Sequence, residues 1–85
     1  MPEISRFYGI VVRMFFNDHN PPHFHIEYQG FEATIDINNG TVDGKMPRRA
    51  LKLVFDWLDM HKDELLENWE LSHSEIPMNK IEPLK

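Results

Sequence analysis

The sequence contains no cysteine, which excludes disulfides, thiolate zinc sites and cysteine nucleophiles. It has no apolar run near the roughly 20 residues that a membrane-spanning helix needs. Its N-terminus lacks a signal-peptide pattern, so a cytoplasmic protein is expected. It also lacks a basic excess. The net charge is −5, and an acidic chain is a poor non-specific ligand for nucleic acid. That charge is uneven. Residues 1–52 carry six Lys/Arg (Arg6, Arg13, Lys45, Arg48, Arg49, Lys52) against six Asp/Glu, whereas residues 53–85 carry three against eight. The one local basic patch is therefore 45–52. With 85 residues, 41% of them hydrophobic and 27% charged, the chain suits a single ordinary domain with a modest core.

Histidine, by contrast, is concentrated. Three of the five histidines, His19, His23 and His25, fall in the stretch Asn17–Tyr28. Asn20-Pro21-Pro22 reads as a rigid, extended connector, because proline fixes φ and removes a backbone donor. The residues after it alternate as a strand does. His23, His25 and Glu27 share one face, and Phe24, Ile26 and Tyr28 share the other.

Ile4 to Phe16 is rich in β-formers and reads as a first, central strand, with Gly9 marking a bulge or a close approach. Arg13 in that run calls for a partner. The second and third strands are predicted at His23–Tyr28 and Phe31–Ile37, joined by Gln29-Gly30 as a two-residue hairpin turn. The implied register pairs Tyr28 with Phe31, Ile26 with Ala33 and Phe24 with Ile35 on the apolar face. On the polar face it pairs Glu27 with Glu32, His25 with Thr34 and His23 with Asp36. Polarity matches throughout, although Glu27 opposite Glu32 needs relief. Asn39-Gly40 is expected to turn the chain into a short fourth strand over Thr41–Asp43.

Pro47 suits a first helical turn. Apolar residues then recur in phase from 47 to about 71, predicting either one long helix bent near Met60–Asp63 or a second helix capped by Asp63, with an acidic outer face. Beyond Ser72 the chain is polar and proline-bearing, a tail over 74–85 that is either extended and docked through Ile76, Ile81 and Leu84 or disordered. The fold class expected is α+β: a three- or four-stranded antiparallel sheet (1–44) covered on one face by a C-terminal helix (45–73), in a single domain spanning 1–85.

Two constellations carry chemistry. The histidine face could hold a divalent transition metal such as zinc through His19, His23 and His25, with Glu27 or Asp36 completing the set. Alternatively, His23 and His25 act as general acid and base with Arg13 steadying a phosphate, parts sufficient for metal-independent RNA cleavage. The second constellation is Lys45, Arg48, Arg49 and Lys52 around a helix N-terminus, a candidate anion-binding site. Solvation or structural hydrogen bonding explains the same residues without function. Homo-oligomerisation through the open face is a further expectation.

The strings Asp-His-Asn-Pro-Pro-His-Phe-His, Gly-Lys-Met-Pro-Arg-Arg-Ala and Glu-Asn-Trp resemble the small bacterial proteins grouped as domain of unknown function 4160, over nearly the whole chain. Members of that family are often encoded beside a second short protein, in a layout similar to toxin–antitoxin pairs. The resemblance thus implies a small protein partner and a role as a toxin or its regulator. It transfers no catalytic residue.

Overall fold

The computed structural model describes residues 2–85. Five strands, β1 (Glu3–Phe7), β2 (Ile10–Arg13), β3 (His23–Tyr28), β4 (Phe31–Asp36) and β5 (Val42–Gly44), precede one helix, α1 (Arg48–Ser72). The strands form one antiparallel sheet in the order β1-β2-β3-β4-β5. The α+β class and the C-terminal helix are as expected. The sheet has five strands rather than three or four.

The extra strand arises because the single run expected over Ile4–Phe16 is two. Tyr8 (φ 50°) and Gly9 (φ 81°) both adopt positive φ, as a type I′ hairpin turn requires, and Phe7 pairs with Ile10. Gly9 therefore reverses the chain instead of marking a bulge. The irregularity lies between Glu3 and Ser5. Gln29 (φ 47°) and Gly30 (φ 84°) make the second turn of this kind. The β3–β4 register is the expected one at all six pairs.

The next turn is longer than a two-residue Asn39-Gly40 loop. Ile35 pairs with Val42, and Gly40 donates its N–H to the Asp36 carbonyl. The Asp36 Oδ1 accepts from the backbone N–H groups of Asn38 and Asn39 at 2.8 and 2.9 Å. This side-chain cap fixes the four-residue reversal. Gly44 (φ 115°) then passes so close to β4 that an added Cβ would stand 2.7 Å from the Glu32 carbonyl oxygen.

The pleat places Ile10, Val12, Phe24, Ile26, Ala33 and Ile35 under the helix, all buried. Helical spacing brings Ala50, Val54, Trp57, Leu58, Leu65 and Trp69 onto them. Asp56, Asp59, Glu64, Glu67 and Glu70 face solvent. The helix is broken at His61 (φ −127°, ψ 20°), within the expected bend. The C-terminal segment is docked. Asn68, fully buried, donates from Nδ2 to the Asn79 carbonyl (2.9 Å) and accepts the Asn79 N–H at Oδ1 (2.8 Å). Trp57 Nε1 donates to the Glu82 carbonyl, and the Ile81 N–H to the Ile4 carbonyl. The uncovered sheet face carries Arg13, His25, Glu27, Thr34 and Asp43.

Candidate metal centre

The loop between β2 and β3 folds back over that open face and is tied at both ends. The Asn17 N–H donates to the Ser72 carbonyl at the helix C-terminus. The Ile37 N–H donates to the Pro22 carbonyl, joining the loop to β4. The Asn20–Pro21 peptide is cis. The loop sets the Asp18 side chain over the start of β3, where alternation points His23 and His25 to the same face. Asp18, His23 and His25 each offer a ligand atom, all within 4.8 Å of one another. Asp18 Oδ2 lies 2.9 Å from His23 Nε2 and 3.3 Å from His25 Nε2. Tetrahedral bonds of about 2.0–2.1 Å would separate such atoms by about 3.3 Å, so the cluster is already near the size of a first shell.

The hydrogen bonds fix which nitrogen faces inward. His23 Nδ1 lies 2.8 Å from the Pro21 carbonyl. A carbonyl only accepts, so Nδ1 carries the proton and Nε2 presents the other ring nitrogen to Asp18, which as a carboxylate also only accepts. Two acceptors facing each other at 2.9 Å repel unless a proton or a cation lies between them. A backbone carbonyl holding the far nitrogen of a histidine is also the usual way in which a ligating ring is oriented.

Charge agrees with this. Burial pushes the Asp18 carboxyl up, but the His19 backbone N–H and the His25 and His23 imidazoles outweigh it, so the group is held below its ordinary value. Phe15 meets the His25 ring edge-on, with centroids 4.2 Å apart. Trp69 packs 5.3 Å from the His23 ring. Behind the loop stands His73, whose Nδ1 faces the Trp69 carbonyl (2.9 Å) and whose Nε2 faces the Asp18 carbonyl (2.7 Å). Those two carbonyls raise its pKa, against a smaller effect of desolvation.

The other expected ligands have other employment. His19 Nδ1 meets Asp18 Oδ1 at 3.0 Å, outside the cluster, with its side chain 85% exposed. Glu27 accepts from Arg13 Nε at 2.9 Å, which relieves its contact with Glu32 and gives Arg13 its partner. Asp36 sits beside His23 in the ladder, but its Oδ1 caps the next turn, and Pro21 and Asp18 orient His23 instead. Arg13 pairs with His25 across β2 and β3.

The basic group lies elsewhere. Arg49 Nη2 donates to the Tyr28 hydroxyl, at the far end of β3 from His23, and Lys52 pairs with Asp56. Five strand residues span about 16 Å, so Arg49 stands well apart from His23, and none of Lys45, Arg48, Arg49 and Lys52 lines the hollow beside the histidines. No acid occupies the first turn of α1, and Pro47 supplies no side-chain cap.

Sequence reading missed Asp18 and His73. Asp18 is the one acid within the histidine-rich loop, and that was the available signal. Nothing local flags His73, whose partner in the loop is 55 residues away.

The fold and the cluster define a small α+β domain with a His–His–carboxylate set on its open sheet face. A protein-family model described as "Domain of unknown function (DUF4160)" matches residues 9–70, and the chain belongs to that family. No curated protein and no solved structure matches it. Among the described residues, no helix is long and apolar enough to cross a membrane.

Proposed function

We propose that this domain binds one divalent transition-metal ion through Asp18 Oδ2, His23 Nε2 and His25 Nε2. The observation that carries this reading is the His23 ring. Its Nδ1 is committed to the Pro21 carbonyl, and its Nε2 is turned onto a carboxylate. Two imidazoles and one carboxylate suit zinc, iron or cobalt in preference to magnesium or calcium. Three protein ligands converging from one side leave room for exogenous ligands, as in sites where a metal does chemistry.

Metal-independent RNA cleavage draws less support. It asks for cations beside the histidines, yet the Nε of Arg13 is engaged by Glu27 and Arg49 is held at Tyr28, about a strand length from His23. A toxin–antitoxin-like role with a second small protein draws its support from the family resemblance.

Equilibrium dialysis of the full chain against zinc, followed by metal analysis, tests the proposal. About one equivalent is expected. Asp18→Ala, His23→Ala and His25→Ala should each lose it, and His19→Ala should keep it. Uptake below about 0.1 equivalent under saturating conditions, or equal uptake by the three ligand variants, would overturn the reading.

A further inference from the structure

The cluster forms one wall of a cavity of about 340 Å³. Its other walls are Thr34, Asp36, Thr41 and Asp43, with Pro21 and His19 at the rim. Among the described residues, no lysine or arginine lines this space. Asp36 and Asp43 reach it from β4 and from β5, the two strands beyond His25, through the cross-strand partners His25–Thr34 and Thr34–Asp43. The three metal-binding atoms all come from the loop and β3. The far side of the ion therefore looks into the cavity, toward hydroxyls and carboxylates.

Charge then selects what can enter. One divalent ion faces three carboxylates, Asp18 as ligand and Asp36 and Asp43 across the space, so the occupied site is already negative. An incoming anion would be repelled, and a neutral base would not. The cavity volume lies at the lower end for small-ligand sites, enough for one ring or one side chain.

Resting on the metal reading above, we infer that the bound ion keeps an exchangeable position facing this cavity. That position takes small neutral nitrogen bases, imidazole or amine, in preference to phosphate, carboxylate and other anions. The donor is either a free small base or a histidine side chain from another polypeptide, since the coordinating chemistry is the same. Asp36 and Asp43 are specificity-determining groups in this scheme, because they reject anions without touching the ion.

Cobalt(II) gives a readout that needs no activity, because its visible bands report coordination. The full chain loaded with cobalt is titrated with imidazole, with inorganic phosphate, and with an acetylated glycine-rich peptide carrying one histidine. Imidazole should move the bands saturably without releasing cobalt to the dialysate. Phosphate should need a concentration about tenfold higher or more, the effect of one charge repulsion at short range. Asp43→Asn, at an exposed position outside the first shell, should narrow that gap.

Tighter binding of the peptide than of free imidazole assigns the donor to a polypeptide, and the reverse assigns it to a small base. Bands that respond to none of the three, bands that respond to phosphate as readily as to imidazole, or a gap unchanged in Asp43→Asn would overturn the inference while leaving the metal site standing. Failure to take up cobalt and zinc removes both.

Discussion

The His73 imidazole holds the Asp18 backbone carbonyl at 2.7 Å across 55 residues of sequence, and its other nitrogen holds the Trp69 carbonyl in the last turn of the helix. Both partners are acceptors only, so the ring serves them best with a proton on each nitrogen, in line with its raised pKa. One side chain thus clamps the ligand-bearing loop to the end of α1, next to the backbone bond from Asn17 to Ser72. His73→Ala should leave the fold intact and loosen Asp18. Supporting groups of this kind change metal affinity by about 10- to 100-fold, and the lower end is expected because the ring is exposed. Zinc titration calorimetry on both proteins, with matching circular dichroism spectra, checks this. Unchanged affinity would mean that the loop holds its shape without the clamp.

Metal binding should depend on pH in one direction. His23 and His25 can ligate only through an Nε2 that carries no proton, so protons compete with the ion. Affinity should therefore fall as pH is lowered, with protons released on binding. Calorimetry in two buffers of different ionisation enthalpy measures that release. A flat profile would count against imidazole ligands.

How far these features could be read from the sequence depends on the range of the interaction concerned. The β3–β4 hairpin was legible because polarity matches pair by pair around Gln29-Gly30, and a one-residue slip would turn every side chain over. The β1–β2 hairpin was not. Tyr8 occupies a turn position where asparagine or glycine is the usual signal, and the apolar residues on both sides of it merge into one run. The same limit applies at the site. Alternation placed His23 and His25 on one face correctly, since strand geometry alone dictates it. Alternation ends at Pro22, however, and the return of Asp18 over the sheet is set by bonds to two other parts of the chain, the helix end at Ser72 and His73, and Ile37 after β4. Asp36 shows the same limit, because a carboxylate before Asn38-Asn39 has a backbone use that competes with ligation.

The C-terminal segment depends on Asn68. Both ends of its buried amide are matched to the backbone of Asn79, as a neighbouring strand would match it. Asn68→Ala removes both bonds and leaves the Asn79 groups unpaired, costing about 1–3 kcal/mol. Urea denaturation measures the loss. Hydrogen exchange should find the Asn79 and Ile81 amides less protected in the variant, whereas the β3–β4 amides keep their order of protection. Equal loss across the sheet would mean that the segment and the core unfold as one unit.

His61 offers the opposite case, a site where removing a polar group should stabilise the fold. Its Nδ1 lies 2.6 Å from Glu64 Oε1, so that nitrogen carries the proton. Its Nε2 is buried with no hydrogen-bond partner, beside the Trp57 ring. The residue also leaves helical φ/ψ in the middle of α1. Leucine is close enough in size to fill the space, has a better helix propensity and brings no orphaned nitrogen. The bond lost to half-exposed Glu64 is worth little by comparison. His61→Leu should therefore raise the unfolding free energy by about 1 kcal/mol. The readout is the urea midpoint followed by tryptophan fluorescence, with zinc uptake unchanged because the helix end at Ser72 stays in place. A lower midpoint would mean that the break at His61 fits the helix to the sheet better than a straight helix does.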